Sequence, residues 1–221
     1  MLIKACIFDL DGVIVDTARY HFLAWKRLAG QLKIHFTEED NERLKGVSRM
    51  DSLDIILEIG NMRLNEELRK EYASLKNRWY IEYINRMTPD EILPGSLEFI
   101  KELKEAGIKV AIGSASKNTS LILERVGMEN LFDAIADGNR ISKAKPDPEV
   151  FLTAAKILGI EPGRIAVFED AVAGVRAALN AGMICIGVGS SGILSEAHAV
   201  IPGLNKMNLK KLEKIVKLSG V

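Results

Sequence analysis

The 221-residue chain is poor in the features that mark specialised classes of protein. It has two cysteines, Cys6 and Cys185. Both sit in apolar runs and neither belongs to a Cys-x-x-Cys pair, so a metal cluster or disulfide framework is not indicated, and buried free thiols in a reducing compartment are expected. No run approaches the ~18 apolar residues of a membrane span, and the start lacks a basic segment followed by a long apolar one. A cytoplasmic protein is expected, and the Asn118-Thr119-Ser120 acceptor pattern carries little weight without a secretory signal. Charge of one sign is also missing: 30 basic and 30 acidic residues cancel, so no global field draws the chain to nucleic acid or an anionic membrane, and any anion site must be local. There is no internal repeat and no low-complexity tract.

What remains is an ordinary globular composition, 48% hydrophobic and 27% charged, long enough for one core with a smaller insert. The run from Leu2 to Phe8 reads as a strand buried on both faces of a parallel sheet. Helical periodicity then takes over to about residue 86: a helix carrying Tyr20, Leu23, Ala24 and Leu28 with Asp16 or Thr17 as its cap, then helices over about 37–44, 50–59 and 66–84, the last capped by Asn65. From Pro94-Gly95 onward, strands and helices alternate. Strands are predicted at 109–113, around 132–136, at 164–168 and at 184–188. Helices are predicted at about 95–105, 119–126, 149–158 and 173–181, and a basic amphipathic stretch around 209–218 reads as a closing helix. This rhythm predicts an α/β fold, a doubly wound, Rossmann-like parallel sheet with an inserted all-α cap, residues 1–15 and 88–221 forming the core and 16–87 the cap.

Four places at predicted strand ends or loops carry chemistry. Asp9 and Asp11 follow the first strand, where open α/β sheets bind ligands, and strand alternation would point them to one side if the extended conformation persisted past Gly12. An acidic pair before glycine also suits a plain strand-ending turn. Gly113-Ser114-Ala115-Ser116-Lys117-Asn118 precedes a helix and offers hydroxyls, a lysine and free N–H groups, a phosphate cradle or an ordinary helix cap. Lys145 is a point charge in a loop. Glu169-Asp170 repeats the strand-then-acid arrangement, suited to Mg²⁺ or to a helix start stabilised by its dipole. Together they meet the needs of phosphoryl transfer through an aspartate: a carboxylate nucleophile (Asp9), a neighbouring acid/base (Asp11), a metal site, and donors for the equatorial oxygens (Ser114, Lys145).

In that order, Asp9-Leu10-Asp11-Gly12-Val13, Ser114, Lys145 and Glu169-Asp170 resemble the four motifs of the haloacid dehalogenase superfamily, and the helical insert resembles its first-type cap. Thr17 with His21 and Trp25, Leu44-Lys45-Gly46-Val47-Ser48-Arg49, and Ser114 to Asn118 are similar to the β-phosphoglucomutase group within it. The resemblance implies one Mg²⁺ held by the Asp9 side chain, the Asp11 carbonyl and Asp170, with Glu169 nearby or ligating. It implies interconversion of β-glucose 1-phosphate and glucose 6-phosphate through glucose 1,6-bisphosphate. His21 and Lys76 would assist the acid/base, Thr17 would lie in the hinge, and Gly46 to Arg49 with Ser52 would form a specificity loop. Trp25, Lys45, Val47, Ala115, Ser116, Lys117 and Asn118 complete the expected substrate contacts. The implied partners are small sugar phosphates alone, with a monomeric chain. Ala171 departs from the many relatives that carry Ser there.

A mutase needs a second phosphate site away from the nucleophile, and Arg49 with Ser116, Lys117 and Asn118 offers one. The rivals are a sugar-phosphate phosphatase of the same fold and a mutase for a disaccharide phosphate. A phospho-accepting receiver is disfavoured by the 72-residue insert (16–87) and by the second acid two residues after Asp9.

Overall fold

Alternation within the first strand sets the architecture. In the computed structural model, which describes residues 3–44 and 47–219, β1 is Ala5–Phe8 and all four residues are buried. Cys6 and Phe8 pack into one apolar cluster while Ala5 and Ile7 pack into another, because successive side chains leave opposite faces of a strand. Such a strand needs cover on both sides, which βαβ crossovers supply.

The remaining strands are β2 (Lys109–Gly113), β3 (Ala134–Ala136), β4 (Ile165–Glu169), β5 (Ile184–Val188) and β6 (Ala199–Ile201). The sheet order is β3-β2-β1-β4-β5-β6, and every neighbouring pair is parallel. On one face lies α5 (Ser96–Glu105), whose Phe99 meets Phe8 edge-on at 6.1 Å while Phe8 stacks on Phe168 of β4 at 4.9 Å. The other face takes Val150 and Phe151 of α7 (Glu149–Leu158) and Val175 and Ala178 of α8 (Val172–Asn180). The closing helix α9 (Leu209–Leu218) buries Leu212 and Val216; α6 is Thr119–Arg125.

Between β1 and α5 the chain makes the all-α insert: α1 (Ala18–Gln31), α2 (Glu38–Glu42), α3 (Arg49–Ile59) and α4 (Glu66–Ile84). Side-chain caps start three of these: Thr37 with Asp40, Ser48 accepting from Asp51 N, and Asn65 accepting from Leu68 N. The insert joins the core through two neighbouring segments. Val15 pairs antiparallel with Ile92, Leu93 N donates to Ile14 O at 2.9 Å, and Asp16 N donates to Glu91 O at 3.3 Å.

Several predicted boundaries move. β1 begins at Ala5; Leu2 lies outside the described residues. The helix predicted over 37–44 contracts to Glu38–Glu42, a run of charged and amide side chains with none buried, so no apolar stripe extends it. Neither Asp16 nor Thr17 caps α1 with its side chain, although Thr17 holds the N-cap position. β6 was not anticipated: its three residues lie at the sheet edge and only Ile201 is buried, too weak a pattern to stand out.

β1 sits between β2 and β4, so the chain winds outward on both sides of it. Its carboxyl end is therefore the crevice where such sheets bind ligands.

Candidate active site

Asp9 follows the last residue of β1 and is held there by its N–H, which donates to Phe168 O at 2.9 Å. The extended conformation ends at this point. Gly12 has φ +80°, and Gly12 N donates to Val15 O at 2.8 Å while Ile14 N and Val15 N turn back to Leu10 O, so a tight loop carries Asp11. Glycine is needed here twice over: the backbone is left-handed, and a Cβ would stand 2.2 Å from Asp170 Oδ2. The first acidic loop and the acid after β4 are thus in direct contact.

Lys145 supplies the counter-charge. Its buried Nζ donates to Asp9 Oδ1 and to Glu169 Oε1, each at 2.5 Å. The other Glu169 oxygen accepts from Ala171 N at 2.9 Å, and Gly174 leaves room for this carboxylate, since a Cβ would stand 1.8 Å from Oε1. Burial draws the Lys145 ammonium down, but Asp9 and Glu169 outweigh it and hold its pKa above the ordinary lysine range. Burial, then the neighbouring Asp9, pushes Asp11 up to about 7 against the pull of Lys145 and Lys76. Its Oδ1 is buried with no hydrogen-bond partner among the described residues. Burial and then Glu169 and Asp9 raise Asp170 well above the carboxylate range.

Four acids thus gather around one lysine. Among the described residues, no three carboxylate, imidazole or thiolate side chains converge tightly enough to cage an ion unaided. Mg²⁺ ordinarily takes one or two carboxylates and fills its octahedron with water and substrate phosphate. The donors are all oxygen, the acids exceed the cations around them, and the Asp9 and Asp170 side chains both line the same cavity. Glu169, anticipated as near the metal or ligating it, has both oxygens engaged by Lys145 and Ala171 N. In this arrangement it anchors the lysine.

Beside the acids, Ser114 follows the last residue of β2. Its N–H donates to Ala136 O at 3.0 Å and its Oγ accepts from Ser116 N at 3.1 Å, leaving the hydroxyl proton for a phosphoryl oxygen. The cradle is buttressed by a segment that sequence reasoning missed. Gly138 N donates to Ser116 O, buried Asp137 accepts from Asn139 N and Nδ2, and a Cβ on Gly138 would stand 2.3 Å from Ala115 O.

The insert roofs this floor with basic groups. Lys76, 1% exposed, approaches His21 Nδ1 at 2.9 Å and lies over the rings of Trp25 and Tyr80 at 4.5 and 4.8 Å. Burial, then Lys76 and Arg49, hold His21 well below its usual pKa, so the imidazole is neutral at pH 7. Burial, then Arg49, lowers Lys76 in the same way, while Asp11 opposes.

Floor and roof enclose a cavity of about 290 Å³. Of the anticipated residues it is lined by Asp9, Asp11, His21, Trp25, Val47, Arg49, Ser52, Lys76, Ser114, Ala115, Ser116, Lys145, Glu169 and Asp170. Thr17, Lys117 and Asn118 do not line it: Thr17 is buried, and Asn118 Nδ2 donates to Asn77 Oδ1 at 3.1 Å. Lys45 and Gly46 lie outside the described residues. Asp16, Ala18, Asn41 and Leu44 also line the wall. Asp16, Ala18 and Asn41 belong to no motif that marks them for binding, whereas Leu44 opens the Leu44-to-Arg49 stretch.

The family model described as haloacid dehalogenase-like hydrolase matches residues 3–182. The β-phosphoglucomutase of Bacillus subtilis is 43% identical over 213 residues, 96% of this chain and 94% of that protein. The phosphorylated carbohydrates phosphatase of Thermotoga maritima is 31% identical over 81% of this chain and 82% of its own. Among solved structures, a β-phosphoglucomutase from Clostridium difficile superposes with a TM-score of 0.94 at 40% identity, covering 97% of each chain.

Proposed function

The chain belongs to the haloacid dehalogenase-like hydrolase family, and on that premise we propose that it is a phosphomutase interconverting β-D-glucose 1-phosphate and D-glucose 6-phosphate. The observation that carries this reading is the basic roof of Arg49, Lys76 and His21 facing the acidic floor across one cavity. A substrate with a phosphate at each end puts one against the basic roof and the other against Asp9, where Lys145 offsets the acids. The 43% identity to a β-phosphoglucomutase over 96% of the chain supports the mutase over the sugar-phosphate phosphatase, whose counterpart from Thermotoga maritima stands at 31%. A disaccharide phosphate would have to fit the same cavity of about 290 Å³.

Asp9 is the nucleophile. With Asp9 carrying a phosphoryl group, the 6-hydroxyl of β-glucose 1-phosphate attacks phosphorus as Asp11 takes its proton, and β-glucose 1,6-bisphosphate forms as the Asp9–phosphate bond breaks. The bisphosphate then turns over in the cavity. Asp9 attacks the 1-phosphate, Asp11 returns its proton to the departing sugar oxygen, and glucose 6-phosphate leaves with Asp9 phosphorylated again. An Asp11 pKa of about 7 suits both directions of this proton traffic. Lys145 and Ser114 hold the equatorial oxygens, and His21 and Lys76 set the field around Asp11. Asp9, the Asp11 carbonyl and Asp170, with Glu169 adjoining, would hold Mg²⁺, which when bound would supply charge screening between carboxylate and phosphate. Arg49 and the Ser116-Lys117-Asn118 segment take the distal phosphate. Trp25, Ser52, Val47, Ala115 and the Lys45-Gly46 loop contact the sugar, and Thr17 lies in the hinge.

We take residues 16–87 as the moving cap and 1–15 with 88–221 as the core, in a cytoplasmic monomer. No helix among the described residues is long and apolar enough to cross a membrane. The nucleophile assignment is tested by Asp9→Asn, which should abolish a Mg²⁺-dependent, acid-labile phosphoenzyme; labelling at the normal rate would overturn it.

A further inference from the structure

Asn118 occupies the N-cap position of α6, where an asparagine side chain ordinarily accepts from a backbone N–H of the first turn. Here it makes no such bond. Its Nδ2 donates across the domain boundary to Asn77 Oδ1 of α4, at 3.1 Å. Asn77 follows the buried Lys76, so one helix step separates a side chain aimed into the cavity from one aimed at α6. The backbone around Asn118 is already held, with Asn118 N donating to Ser116 Oγ at 3.2 Å and Thr119 Oγ1 donating to Ser116 O at 2.9 Å. Only the orientation of the amide is left to be set, and Asn77 sets it.

We propose that Asn77 is a positioning residue, a cap-borne acceptor that engages Asn118 when the cap closes and thereby fixes the Asn118 amide at the edge of the distal-phosphate site. This rests on the phosphomutase reading, in which Asn118 belongs to the distal-phosphate site. An amide has two N–H donors. With one fixed on Asn77, the second is directed instead of free to rotate, so ordering needed for phosphate binding is completed by closure itself. The bond joins cap and core at a point other than the two connecting segments, and it forms only when both domains meet.

The test is a double-mutant cycle of Asn77→Leu and Asn118→Ala, read on β-glucose 1-phosphate. Leucine keeps the bulk of the side chain and is the better helix former, so the variant should melt no lower than the parent. A lost hydrogen bond of ordinary strength corresponds to about a fivefold effect. Asn77→Leu should therefore raise KM roughly five- to tenfold with kcat changed less than about twofold, and should add nothing once Asn118→Ala is present. Asn77→Asp, which retains the acceptor, should recover most of the loss. A wild-type KM in Asn77→Leu, or effects of the two substitutions that multiply, would overturn the proposal. The parent enzyme decides the separate question of mutase or phosphatase through its product. The cycle is then read on whichever product forms, glucose 6-phosphate or inorganic phosphate, so a failed mutase reading does not obscure the result for Asn77.

Discussion

Lys76 Nζ of α4 stands 2.9 Å from His21 Nδ1 of α1, which puts two basic side chains in contact above a floor of four acids. At most one proton lies between them, and burial followed by the Arg49 charge drives the lysine well below its ordinary pKa. An arrangement so poor for the empty protein is explicable if the missing partner is an anion that arrives with the substrate.

The cost to the empty protein is measurable. A lysine with a depressed folded pKa binds fewer protons than it does in the unfolded chain, so its penalty is present at neutral pH and fades as pH rises toward 10. Lys76→Met should stabilise the metal-free, substrate-free protein at pH 7 by roughly 1–3 kcal/mol, with the gain shrinking at pH 10. The same change should lower kcat/KM for glucose phosphates about 10- to 100-fold. Thermal melts at the two pH values beside steady-state kinetics check both. A less stable variant with unchanged turnover would remove the lysine from the account.

Asp11 gives a pH dependence of the opposite sense. Its folded pKa of about 7 lies above the ordinary aspartate value of 3.8, so the fold binds the extra proton between those limits. The stability this contributes is present below about pH 4 and is lost as pH rises through about 7. Asp11→Asn should therefore match the parent near pH 4 and exceed it by roughly 1–3 kcal/mol at pH 8, in melts run with a chelator. A difference independent of pH would mean that Asp11 is not held protonated by its surroundings.

The acids at 9, 11, 169 and 170 stand at strand ends whose apolar runs are unmistakable, and the sheet brings those ends together as alternation and βαβ crossovers require. β6 escaped notice because three residues at an edge carry almost no pattern. The engagement of Glu169 by Lys145, 24 residues away, is a tertiary fact with no local trace, and so is the pairing of Asn118 with Asn77, 41 residues apart. The end of the extended conformation after Asp9 was signalled by Gly12, but its second reason, contact with Asp170 Oδ2, appears only in the folded chain.

In the proposed reading Arg49 belongs to the phosphate site remote from Asp9. It lines the cavity from the cap, and a guanidinium fork there serves a phosphate remote from Asp9. Arg49→Ala should reduce kcat/KM for glucose phosphates about 100-fold, yet reduce hydrolysis of a small phosphate ester less than about threefold. Equal losses on the two substrates would place Arg49 at the nucleophile's own phosphate.

In the proposed mutase the cap turns a phosphorylated aspartate toward a sugar in preference to water. The most direct test follows β-glucose 1-phosphate with a trace of the 1,6-bisphosphate and Mg²⁺, recording glucose 6-phosphate by a coupled dehydrogenase and inorganic phosphate in the same reaction. Glucose 6-phosphate formed in large excess over released phosphate is the predicted result. Phosphate release that matches or exceeds glucose 6-phosphate would contradict it and identify the chain as a phosphatase.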